Sequence, residues 1–98
     1  METVVVIGGG ASGMMAALTA AQSGRRIVVL ERQQRAARKL LATGNGRCNL
    51  TNTGARAENY HGENASFALP ALSRFTPQDT LDFFHALGLV TVTEYGGR

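Results

Sequence analysis

The sequence predicts an α/β fold with a parallel sheet, and three observations carry that prediction. Val4-Val5-Val6-Ile7 is a run of four β-branched residues that stops at Gly8-Gly9-Gly10. A helix-length stretch rich in small apolar residues starts at Ala11, and a second apolar run, Ile27-Val28-Val29-Leu30, ends on the acid Glu31. Strand, glycine turn, helix, strand and acid in that order make a Rossmann-like βαβ unit suited to a dinucleotide. A bare G-x-G-x-x-G says little, but here both flanking elements that the motif requires are present.

Each element has its reason. Gly8 falls where the strand must turn sharply, Gly10 where a side chain would hold a pyrophosphate off the backbone, and Gly13 where the helix must press on the strand. The helix is expected from about Ala11 to Ser23, with Met14, Ala17, Leu18 and Ala21 along one face and Gly24 as its C-terminal stop. Phosphates would sit at its N-terminus, beside Ala11 and Ser12, where free N–H groups and the positive end of the dipole favour an anion. Arg26 to Leu30 lacks alternation, as a parallel strand covered on both faces should. Glu31, about twenty residues past the glycines, is placed to accept hydrogen bonds from a ribose and to repel a 2′-phosphate. Its neighbour Arg32 is the one feature that would suit such a phosphate.

Composition narrows the classes. The 98 residues are 44% hydrophobic, an ordinary globular value. About three strands can be counted, where a complete doubly wound sheet needs five or six. The reading is therefore an incomplete three-layer fold, residues 1–98 forming the N-terminal part of a longer enzyme. The net charge is +3, yet Arg25, Arg26, Arg32, Arg35, Arg38, Lys39 and Arg47 face the single acid Glu31 within their span. Such a segment suits an anionic cofactor, nucleic acid, a membrane surface or plain solvation. It lacks interleaved aromatics for base stacking, which ranks nucleic acid last. Cys48 is the one cysteine, so no internal disulfide can form, and no Cys/His spacing suggests zinc. No secretory signal or membrane-spanning stretch is legible, which points to the cytoplasm and makes the sequons at Asn49 and Asn64 chance matches.

After Glu31, Gln33 to Leu41 is helix-favouring in composition, and then Ala42 to Asn52 collapses into a loop. Gly44 and Gly46 permit close backbone approach, while Lys39, Thr43, Arg47 and Asn49 bring donors for phosphate or carbonyl oxygens. A surface loop of turn formers is the plainer reading of those residues. The run Arg38-Lys39-Leu40-Leu41-Ala42-Thr43-Gly44-Asn45-Gly46-Arg47-Cys48-Asn49-Leu50-Thr51-Asn52, placed shortly after the glycine motif, resembles the signature of the HI0933-like flavoproteins, the BaiN/RdsA or aminoacetone-oxidase-type NAD(P)/FAD-dependent oxidoreductases. Asn45 stands where the commoner form has glycine, a substitution that left-handed backbone tolerates. The resemblance extends over essentially the whole chain.

That resemblance implies FAD as cofactor and NAD(P)H as electron donor of the full-length enzyme, with a small-molecule substrate set by residues outside this sequence. Carried over by position, Gly8, Gly10, Ala11, Ser12 and Gly13 hold the pyrophosphate and Glu31 the adenosine ribose. Arg32 and Lys39 lie beside the adenosine and diphosphate. Thr43, Gly44, Gly46, Arg47, Cys48 and Asn49 run along the diphosphate toward the flavin, with Arg47 and Asn49 making the side-chain contacts. Cys48 has no second thiol to work with, so a packing or loop role is expected.

The remainder reads as helices and one strand. Ser66 to Phe75 is helical if Pro70 falls in the first turn. Thr76-Pro77-Gln78-Asp79 opens a helix with Thr76 as N-cap and Pro77 at N1, its apolar side carrying Leu81, Phe83, Phe84 and Leu87, and Gly88 ends it. Leu89 to Glu94 alternates as a half-exposed strand should. His61 stands in a polar loop with no proton-transfer partner in view, so solvation is its expected state. No catalytic constellation is visible, which suits a cofactor whose ring carries the chemistry. Two rival readings remain: an NAD-dependent dehydrogenase segment and a basic nucleic-acid-binding module.

Overall fold

A computed structural model describes residues 1–43 and 48–98. The chain divides into two compact units, Met1–Cys48 and Asn49–Arg98.

In the first unit, β1 (Thr3–Ile7) is followed by helix α1 (Ala11–Ala21), β2 (Arg26–Leu30) and a short helix α2 (Arg38–Ala42). The two strands pair in parallel, Thr3 opposite Arg26 and Ile7 opposite Leu30. A right-handed crossover helix is the connection such a pair requires. Helix α1 lies on one face of the sheet, where Val4 and Val6 are half-buried, whereas Val5 and Ile7 on the other face are 54% and 86% exposed. Coverage of β2 on both faces, expected from its apolar run, is thus not complete within this unit: Ile27, Val28 and Val29 are half-buried and Leu30 is exposed.

Helix α1 turns a slightly different face to the sheet from the expected one. Ala17 is buried and Gly13 and Ala20 half-buried, while Met14, Leu18 and Ala21 are exposed. Met15 is half-buried as well, so the covered face runs through Gly13, Ala17 and Ala20 with one large side chain beside them. After the helix, Gly24 N–H bonds to Ala21 O at 3.0 Å, ending it as the glycine predicts. Gln33 to Ala37 is not helical despite its composition. The Gln33 N–H is drawn to Glu31 and the Ala37 N–H to Gly9 O at 2.6 Å, which places Ala37 at φ +57 and delays helix α2 to Arg38.

The second unit holds 3₁₀ turns at Ala57–Asn59 and Ala65–Ala68, helix α3 (Leu69–Arg74) and helix α4 (Pro77–Ala86). Pro70 falls in the first turn of α3, which removes the clash it would cause further in. Helix α4 begins with a reciprocal cap: Asp79 N–H donates to Thr76 Oγ1 at 3.1 Å and Thr76 N–H to Asp79 Oδ2 at 2.9 Å. It ends in a Schellman motif, Gly88 N–H to His85 O at 2.9 Å and Leu89 N–H to Phe84 O at 3.0 Å. Phe83 meets Phe75 and Phe84 edge-on at 6.3 and 5.1 Å between ring centres, forming the apolar cluster of this unit.

The strand expected over Leu89 to Glu94 does not form. Among the described residues the sheet has two strands, so that stretch has no ladder to join, and Val90 and Val92 stand 88% and 79% exposed. Its end instead folds into a turn, Gly97 N–H to Glu94 O at 3.1 Å, which docks on Asn52 to Gly54.

Candidate nucleotide site

The site is built at the C-terminal end of the β1–β2 pair, where a doubly wound sheet receives ligands. The β1 ladder is extended by Gly8 N–H to Leu30 O at 2.8 Å, after which Gly8 adopts φ +99, a left-handed conformation open to glycine. The chain reverses there and enters α1 with Gly10 as N-cap. No side chain caps that end. The first-turn N–H groups of Ala11, Ser12 and Gly13 therefore point out of the helix toward an anion's position.

The three fingerprint glycines have different physical reasons. A Cβ on Gly13 would collide with the Gly8 carbonyl oxygen and lie 3.0 Å from its carbon, so the helix can rest on the turn only without a side chain. Gly10 is the opposite case. It has φ −81 and ψ −170, ordinary for any residue, and a Cβ there would meet no described atom within 4 Å. Among the described residues nothing packs against that position, which is the N-cap of α1.

Glu31 closes the other side. Its Oε1 accepts the Gly9 N–H at 2.8 Å and its Oε2 accepts the Gln33 N–H at 2.6 Å. The carboxyl is held below the usual carboxylate range, first by the Gln33 N–H, then by the Gly9 N–H, with the Arg32 charge adding to them and desolvation opposing. An ionised carboxylate offers about four acceptor positions, so about two remain open to further donors after these bonds. Gly9 is the residue that sequence reasoning passed over. It is buried, and a Cβ on it would stand 3.2 Å from Ala36 Cβ and 3.4 Å from Glu31 Oε1. The doublet Gly8-Gly9 was the available signal.

The basic segment separates into two groups. Arg25 and Arg26 lie at the start of β2, where Arg25 Nε pairs with Glu2 Oε2 at 2.9 Å. Arg32, Arg35, Arg38 and Lys39 follow its end, on the glycine-turn side, all exposed, and Arg38 Nη1 bonds Gln33 Oε1 at 2.8 Å. Thr43 donates its hydroxyl to Leu40 O at 2.9 Å, Cys48 is an exposed free thiol, and Asn49 is an exposed residue of the second unit. Gly44, Asn45, Gly46 and Arg47 lie outside the described residues. Among the described residues no group of His, Cys, Asp and Glu could hold a metal, and no helix is long and apolar enough to cross a membrane.

A parallel βαβ unit, an uncapped helix start behind a glycine turn and an ionised acid at the end of the second strand define a nucleotide-binding domain of the Rossmann type. The chain belongs to the HI0933-like family: residues 2–98 match its Rossmann domain. It is similar to the 3-dehydro-bile acid delta(4,6)-reductase of Clostridium scindens, 52% identical over 59 residues that cover 60% of this chain and 14% of that protein. It is also similar to the ribosomal RNA dihydrouridine synthase of Escherichia coli, 40% identical over 52 residues that cover 53% of this chain and 13% of that protein. The matched stretches thus take in about a seventh of either relative's length.

Proposed function

We propose that this chain is the FAD-binding portion of a cytoplasmic, flavin-dependent oxidoreductase that draws electrons from NAD(P)H. The observation that carries the reading is Gly10: a side chain there would meet nothing among the described residues, and the position is the N-cap of α1, whose end no side chain caps. A pyrophosphate fits there, with the N–H groups at Ala11, Ser12 and Gly13 as donors. Glu31 then takes the ribose hydroxyls, and Arg32 and Lys39 balance the diphosphate charge. Arg47 and Asn49 contribute side-chain contacts along the cofactor, with Thr43, Gly44, Gly46 and Cys48 as the chain beside it. FAD, when bound, supplies the hydride chemistry, while these residues bind, orient and neutralise it.

Relatives named as a reductase and as a dihydrouridine synthase favour a redox enzyme over a simple binding module. The long glycine/basic loop after β2 favours the extended flavin cofactor over NAD alone, since NAD-dependent dehydrogenases proceed quickly to a third strand. Expression of the complete protein, followed by cofactor extraction, tests this: a yellow protein releasing FAD is expected, and a colourless one that takes up no FAD overturns the reading. One relative's name contains ribosomal RNA, which gives a nucleic-acid substrate one supporting observation. RNA affinity that falls steeply with added salt would establish it, and salt-independent behaviour would leave a small-molecule substrate.

A further inference from the structure

Gly9, between the sharp turn and the start of α1, is held on both sides of its backbone by one segment of chain. Its N–H donates to Glu31 Oε1 at 2.8 Å, and its carbonyl accepts the Ala37 N–H at 2.6 Å. Ala36 lies against it as well, since a Cβ on Gly9 would stand 3.2 Å from Ala36 Cβ. Residues 31–37 thus form a strap across Gly9. In making its bond Ala37 adopts φ +57 and ψ +24, and among the described residues it is the one non-glycine with positive φ. Left-handed backbone is unfavourable for alanine and persists where surrounding bonds enforce it. The peptide that carries the Gly9 carbonyl also carries the Gly10 N–H. It is trans, so the two point in opposite directions and fixing one fixes the other. Gly8 and Gly9 spend their N–H groups on Leu30 O and Glu31 Oε1, whereas that of the exposed Gly10 has no acceptor among the described residues.

We propose that Ala37 is a positioning residue of the nucleotide site: through Gly9 O it sets the Gly9–Gly10 peptide so that the Gly10 N–H joins the helix start as a donor to the pyrophosphate. The inference deepens the flavin reading above and rests on it. Strap, glycine turn and helix start all belong to the first unit.

The test uses the complete protein, stripped of FAD, with FAD, ADP and adenosine as probes. ADP carries the pyrophosphate and adenosine does not. Ala37→Val puts a β-branched side chain on left-handed backbone, which drives residue 37 out of that conformation and its N–H off Gly9 O. It is expected to weaken FAD and ADP binding about tenfold, the scale of one net hydrogen bond, and to leave adenosine, held at Glu31, unchanged. Ala37→Gly keeps the N–H and suits the positive φ, so it should bind all three probes as the wild type does, with no fall in melting temperature. A measurement on the wild-type protein stands beside the variants. With isotope-labelled glycine, the Gly10 amide proton, identified by its loss in Gly10→Ala, is expected to move downfield on adding ADP and to stay in place on adding adenosine. An Ala37→Val protein that binds ADP normally, or that loses ADP and adenosine alike, overturns the proposal. So does an Ala37→Gly protein that loses ADP. FAD uptake by a wild-type protein whose Gly10 amide ADP leaves unmoved overturns this inference alone. A wild-type protein that takes up no FAD overturns the flavin reading itself, and this inference with it.

Discussion

Alanine at Gly10 and alanine at Gly13 make the same chemical change three residues apart, and the structure predicts opposite consequences. At Gly13 the added methyl meets the Gly8 carbonyl, backbone that cannot swing aside as a side chain can, with Val6 Cγ1 3.5 Å away on the next side. Overpacking costs about 1–3 kcal/mol, and glycine-to-alanine in a helix returns at most about 1 kcal/mol, so a net loss of about 1–2 kcal/mol is expected. Lifting α1 also strains the Gly8 N–H bond to Leu30 O, and the cradle deforms with it. At Gly10 the methyl meets nothing and the backbone angles suit alanine, so stability should change by less than about 1 kcal/mol, the scale of an N-cap exchange. FAD binding should nevertheless fall at least tenfold, because the methyl occupies the space left for the pyrophosphate. Urea unfolding of both apo proteins, paired with FAD titration, separates the two. A Gly10→Ala protein that binds FAD normally would refute the argument from open space. A Gly13→Ala protein as stable as wild type would refute the contact between helix and turn.

Four further outcomes follow from the geometry. Glu31 is held ionised, so the ties to Gly9 and Gln33 are intact above the ordinary carboxylate value of about 4.3 and are lost as pH falls through the lowered folded value; unfolding followed from pH 7 to pH 3 should show that acid loss, and Glu31→Gln should flatten it. Thr76→Ala should destabilise the protein by about 1 kcal/mol through the lost cap, read by thermal unfolding, with no change at the nucleotide site. Arg47→Ala should weaken FAD retention by the roughly 1.5–3 kcal/mol of a charge-assisted hydrogen bond while the fold persists by circular dichroism. Residues 1–98 expressed by themselves should show no cooperative thermal transition and none induced by FAD, since Ala17 is the one buried apolar side chain among the described residues.

The parts of this fold legible in the sequence are those specified by neighbouring residues. The strand, glycine turn and helix of the first unit, the Thr76-Pro77-Asp79 start of α4 and its Gly88 stop each depend on contacts within a few positions. What escaped reading depends on distant partners. Gln33 to Ala37 has helical composition, but its N–H groups go to Glu31 and Gly9. Leu89 to Glu94 has a strand's alternation, but alternation cannot supply a neighbouring strand. Spacing along α1 marks apolar positions on more than one face, and the fold covers Gly13, Met15, Ala17 and Ala20 rather than Met14, Leu18 and Ala21. The close approach at Gly13 was legible from its motif, whereas the contacts of Gly9 with Ala36 and Glu31 are invisible until the chain is folded.

The two hydrogen bonds that Glu31 accepts from Gly9 and Gln33 also bear on redesign. Replacing the acid at the end of the second strand is the obvious first move for anyone wishing to retune such a protein toward a 2′-phosphorylated cofactor. Here the carboxylate is also a strut between the glycine turn and the segment leading into α2. Exchanging it for an apolar or basic residue would release both attachments. A working conversion would therefore have to supply a new acceptor for the Gly9 N–H, and only then an arginine for the phosphate.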